Sequence, residues 1–167
     1  MALDTLLNLQ LNATQQTALD LATAAVPLAY NTNYQLASGT GANQAQKMFS
    51  DQRTLAASTS EDLDLAGTAL TDALGVAFTI TQLKMLIVKA AAGNTNDVVV
   101  GGASSNGVAT LFADATDKIK VKPGGILVLV APDANGYAVT AATGDLLTIA
   151  NSSSGSSVTY DIIVIGV

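Results

Sequence analysis

The chain has 167 residues, 13 acidic and 7 basic side chains, a net charge of −6, and neither histidine nor cysteine. Its length fits one domain able to bury its own core without disulfide or metal staples. The missing residue types exclude thiolate chemistry, Ser-His-Asp and Cys-His arrangements and the usual zinc sites, while the negative charge opposes phosphate-backbone binding.

Charged residues make up 12% of the chain, about half the usual share, so the surface is mainly small and amide-bearing. Mean hydropathy is +0.40, yet the apolar runs Ile126–Ala131 and Ile162–Ile165 are far shorter than the roughly 20 residues of a membrane-spanning helix. Met1-Ala2-Leu3-Asp4 lacks the basic start of a secretory signal. The expectation is therefore a protein that uses no cofactor, metal, nucleic acid or membrane.

In residues 1–45 only Asp4 and Asp20 are charged, and turn punctuation first appears at Ser38-Gly39-Thr40-Gly41. Leu3, Leu6 and Leu7 fit a helical face, whereas Leu7, Leu9 and Leu11 alternate as a strand does, and the two templates score equally. The segment is expected to be an extended arm or peripheral strands. Residues 46–167 form the expected main domain.

Glu61-Asp62-Leu63-Asp64-Leu65 alternates acidic and apolar residues and ends at Gly67, as a half-exposed strand does. Leu83–Val88 and Asp97–Gly102 follow, with Gly93-Asn94-Thr95-Asn96 supplying turn chemistry between them. Further strands are predicted at Val108–Phe112, Lys118–Lys122, Gly125–Ala131, Tyr137–Thr140, Asp145–Ala150 and Val158–Ile165. Regular turn clusters with no intervening amphipathic helix indicate an all-β sandwich or barrel.

Lys118-Ile119-Lys120-Val121-Lys122 alternates strictly, placing Ile119 and Val121 inward and three ammonium groups outward, a pattern suited to a sheet edge. Ile126–Val130 and Ile162–Ile165 do not alternate. Both faces of these two strands should be covered, the outer one by the N-terminal arm, a loop or another subunit.

Candidate chemistry is sparse. Glu61, Asp62 and Asp64 offer oxygen ligands for a hard cation, but on a strand Glu61 faces away from the other two. Asp114-Ala115-Thr116-Asp117 and Asp133-Ala134-Asn135-Gly136 fit turns better than the longer calcium-loop pattern. A carboxylate pair for glycoside hydrolysis is permitted by composition but not indicated, and tryptophan platforms for sugars are absent. Gly39-Thr40-Gly41-Ala42-Asn43 lacks the third glycine of a dinucleotide fingerprint, and Lys122-Pro123-Gly124-Gly125 reads as a strand entering a turn. No catalytic, cofactor-binding or metal-binding residue is therefore assigned.

The series Asp51-Gln52-Arg53-Thr54-Leu55-Ala56, Glu61–Leu65, Val98-Val99-Val100-Gly101-Gly102, Val121–Gly125, Gly136–Thr140, Gly144-Asp145-Leu146-Leu147 and Val158–Ile162 resembles small virion structural proteins of tailed double-stranded DNA bacteriophages. Within that group it is most similar to head decoration, or cement, proteins. The likeness spans roughly Leu36 to Val167. It implies a jelly-roll-like antiparallel β-sandwich with an extended N-terminal arm, no enzymatic activity and assembly in the host cytoplasm. It further implies a homo-oligomer, with a homotrimer favoured, bound to the major capsid protein on the capsid exterior. The alternative is a tail, head-fibre or receptor-binding β module whose Pro132–Gly136 and Asn151–Ser157 loops contact a host glycan.

Overall fold

In the computed structural model, which describes residues 2–167, the protein is built from strands, with one short 3-10 turn and no α-helix among the described residues. The first strands, β1 (Thr5–Ala18) and β2 (Thr23–Ser38), form a long antiparallel ribbon. A short β3 (Gln44–Ala45) runs parallel to the end of β2. The expected boundary after residue 45 falls between β3 and β4 (Lys47–Leu55).

The remaining strands are β5 (Ser60–Asp64), β6 (Gln82–Ala90), β7 (Val98–Gly101), β8 (Lys118–Val121), β9 (Ile126–Val130), β10 (Tyr137–Ala138), β11 (Leu146–Asn151) and β12 (Val158–Gly166). They divide into two antiparallel sheets. One has the order β4-β12-β6, with β9 and β10 following one another along the free side of β6; the other has the order β5-β11-β7-β8. Their inner faces supply one core, with Phe49, Leu86, Val88, Tyr160, Ile162 and Val164 from the first sheet and Leu63, Val98, Val100, Val121, Leu147 and Ile149 from the second. The fold is thus an all-β antiparallel sandwich.

The local chemistry explains the strand ends. Pro123 and Gly124 occupy the centre of a turn in which the Gly125 N–H donates to the Lys122 carbonyl at 2.7 Å. Gly124 has φ +74°, so the type II geometry needs a residue without Cβ there. The lysine-rich strand β8 is an edge strand, with Val121 buried and Lys118 and Lys120 exposed. Its outward ammonium groups discourage pairing with another sheet.

The strand predicted at Val108–Phe112 is instead a 3-10 turn over Ala109–Leu111. Only Val108 is buried there, its N–H donating to the Leu146 carbonyl, while the Thr110 hydroxyl bonds the Ala138 carbonyl. The apolar residues Leu111 and Phe112 reach the core from a turn, and pairing with β11 is limited to a single parallel bridge between Gly107 and Leu146.

The two non-alternating strands receive partial outer cover. Register places Ile165, Met85 and Val130 in one row across the outer face and Ile163, Ile87 and Val128 in the next. Leu36, Ala45, Met85 and Ile165 form a second buried cluster, joined by Leu3, Leu7, Ile87, Val130 and Ile163. The base of the ribbon therefore covers the first row. Ile163, Ile87 and Val128 are half-buried, and Ile126 is exposed.

Candidate interaction surface

The ribbon is the feature that the body does not explain. Pairing is continuous from Thr5↔Leu36 to Ala18↔Thr23, around a turn at Leu19–Ala22 closed by a bond from the Leu19 N–H to the Ala22 carbonyl. Side chains alternate between faces along each strand, so register decides which residues share a face. Leu7, Leu9, Leu11 and Ala13 share one with Tyr34, Thr32, Tyr30, Leu28 and Val26. The other carries Asn8, Gln10, Asn12, Asn31, Asn33 and Gln35. The first face is mainly apolar, with Gln15 and Thr17 toward its tip; the second is mainly amides, with Leu6 at its base and Ala25, Pro27 and Ala29 among them.

Only the base of the apolar face touches the body. Thr5, Leu7, Thr32 and Tyr34 are half-buried and Leu36 fully buried, whereas Leu11, Leu28, Tyr30 and Val26 are 52%, 55%, 59% and 70% exposed. From Asn8 to Ala18 the ribbon runs roughly 35 Å at about 3.4 Å per residue. A solitary two-stranded ribbon of this kind is marginally stable in water.

Sequence alternation at Leu7, Leu9 and Leu11 carried half of this signal. The missing half was the turn. Leu19-Asp20-Leu21-Ala22 has neither glycine nor proline, so nothing in it announces a hairpin, and without the register the two leucine-bearing halves cannot be assigned to one face.

The acidic residues singled out as ligand candidates are each engaged elsewhere. Glu61, the one glutamate of the chain, lies on the same side of β5 as buried Leu63 and meets Arg53, the one arginine. Arg53 Nε donates to Glu61 Oε2 at 2.7 Å, its Nη1 contacts Asp51 at 2.9 Å, and buried Tyr160 donates its hydroxyl to Glu61 Oε1 at 2.7 Å. This clasp joins β5 of one sheet to β4 and β12 of the other. The hydrogen bond to Glu61 raises the Arg53 pKa, and burial followed by the Glu61 bond raises that of Tyr160.

Asp62 accepts from the Thr148 hydroxyl, and Asp64 Oδ1 from the N–H groups of Ala66 and Gly67. Asp114 Oδ1 accepts from the Thr116 N–H and hydroxyl, while Asp133 Oδ1 accepts from the Asn135 and Gly136 N–H groups. These backbone bonds, the first of them from Thr116 and Asn135 respectively, hold both carboxyl groups below their ordinary pKa. Among the described residues no three acidic side chains converge on a point that would hold a cation.

The Pro132–Gly136 and Asn151–Ser157 loops are fixed from beneath. Buried Lys84 donates to the Asp133 and Ala134 carbonyls, a contact with no signal in the residue pattern of a strand core. Asn96 donates to Asn151 Oδ1 and to the Ser153 and Ser156 carbonyls, and Asn151 donates to Ala56 and Ser156. The first loop lies beside the end of β12, because Leu83 pairs with Gly166; the second precedes its start at Val158. About 25–30 Å of strand separates them.

A shallow apolar groove lined by Leu3, Met48, Leu74, Val76 and Phe78 lies where the start of the chain passes β4. Comparison with protein-family models, curated proteins and solved structures gives no match to the chain.

Proposed function

We propose that the chain is a non-enzymatic structural protein of a tailed-phage particle that decorates the capsid exterior and bridges neighbouring capsid subunits. The observation that carries this reading is the long, charge-poor ribbon standing clear of a rigid body, since an arm whose area lies outside its own core is suited to contacts between molecules. The body supports it. Strand order β4-β12-β6-β9 opposite β5-β11-β7-β8 supports the jelly-roll reading, an architecture used by viral capsid and lectin domains. Architecture alone does not assign function, and the resemblance to decoration proteins is what favours the capsid over a tail or fibre.

The test uses a variant in which residues 8–33 are replaced by Asn-Gly, joining Leu7 to Tyr34 at positions that already pair. The body should fold, because Leu3, Leu7 and Leu36 remain over Met85 and Ile165. Particles assembled with the intact chain should show it by electron microscopy across the head, in numbers that scale with capsid subunits. Location at the tail tip, or undiminished coating by the shortened variant, refutes the proposal.

A further inference from the structure

We infer that the apolar face of the ribbon is covered by the same face of a second copy of this chain, the two ribbons packing face to face. The inference rests on the reading of the ribbon as an assembly arm, and its test is run in solution without particles, so either can fail alone.

Three features of the ribbon select this occupant. First, no charged residue lies between Asp4 and Asp20 or between Asp20 and Lys47. Burying this surface therefore desolvates no charge, and it has no handle for an anionic or cationic partner.

Second, the face is complementary to itself. A two-fold axis lying between the two faces and perpendicular to the strands reverses the ribbon's direction and stacks β1 on β1 and β2 on β2, bringing the Leu11↔Tyr30 pair of one copy over the Ala13↔Leu28 pair of the other. Bulky Leu11 then meets small Ala13, and Tyr30 meets Leu28. Leu9 and Thr32 meet Gln15 and Val26 at each end, and packed sheets about 10 Å apart have room for such interdigitation.

Third, one of the edge-to-edge alternatives is blocked. Pro27 sits within β2 opposite Thr14 and has no N–H, so the outer side of β2 cannot accept a continuous new strand. Copies that joined through the β1 edge would leave the apolar face uncovered.

The area sets the strength. A strip roughly 35 Å long and about 10 Å wide has a planar footprint of roughly 350 Å². Two such faces remove at least about 700 Å² from water, and more once the relief of upright side chains is counted. Specific interfaces begin near 1,200 Å², so the association should be weak in dilute solution and strengthen where copies are held close together.

Sedimentation velocity of the full chain at concentrations up to about 0.1 mM tests this. The wild type should shift to a dimer or larger species with rising concentration. Leu11→Asn combined with Tyr30→Asn should weaken the association at least about tenfold while leaving the thermal midpoint of the body unchanged. Gln10→Ser combined with Asn31→Ser, adjacent on the amide face, should change it less than about threefold. A wild type that stays monomeric, or an apolar-face variant that associates as the wild type does, overturns the inference. So does an equal loss in both variants.

Discussion

Removing one oxygen atom at Tyr160 tests whether the clasp between the sheets holds the sandwich together. In Tyr160→Phe the ring still fills the core position, but the 2.7 Å bond to Glu61 Oε1 is lost. Hydrogen bonds to charged acceptors contribute about 1.5–3 kcal/mol. Glu61 keeps Arg53, whose side chain is 31% exposed, and its freed oxygen can be hydrated, so the loss should lie near the lower end, about 1.5–2 kcal/mol. For a chain of this size that lowers the melting temperature by roughly 4–6 °C.

The pH dependence separates this bond from a packing change. The Tyr160 pKa is raised in the fold above its ordinary 10.0, so its contribution is complete below pH 10 and is lost as pH rises toward the folded value. Over that interval wild-type stability should fall, relative to Tyr160→Phe, by about 1.4 kcal/mol per pH unit. The two proteins should therefore converge near pH 11 in urea unfolding followed by circular dichroism. A gap below about 0.5 kcal/mol at pH 8, or one that persists unchanged to pH 11, refutes the assignment.

Two further outcomes follow from the geometry. Gly166 sits at a register shift against β6, where an added Cβ would come within 2.4 Å of the Gln82 carbonyl oxygen, so Gly166→Ala should destabilise at or above the upper end of the about 1–3 kcal/mol typical of overpacking. A chemical-denaturation midpoint equal to the wild type would show that the strand end is free to move. At acid pH, Asp114 and Asp133 have folded pKa values below the ordinary 3.8, so what they add to stability is present above that value and is lost as pH falls through the folded ones. Carboxyl carbon NMR titrations of the folded protein should give both midpoints under 3.8, and a midpoint at or above it for either would contradict the turn geometry.

The strand-rich body is legible in the residues alone, because alternation and turn residues are local properties. Lys118–Lys122 reads as an edge strand from five residues, and Lys122–Gly125 as a turn from four. The sequence also placed apolar groups on both faces of Ile126–Val130 and Ile162–Ile165, and so raised the question of what covers them. Tertiary structure alone gave the answer, with Leu3, Leu7 and Leu36 over one row of that outer face and a second row left half-buried.

Pairings between distant residues were likewise decided only by the fold. Glu61 read as part of a solvated acidic stretch, yet its parity on β5 turns it inward to Arg53 and Tyr160. Val108–Phe112 had strand composition, but after one bridge from Gly107 to Leu146 the chain turns over Ala109–Leu111. Above all, the ribbon acquires its two faces only when β1 and β2 are paired, since residues such as Leu11 and Tyr30 become neighbours through cross-strand register. Alternation is written within each strand; which strands share a face depends on the return of the chain, and a turn without glycine or proline leaves that return unmarked.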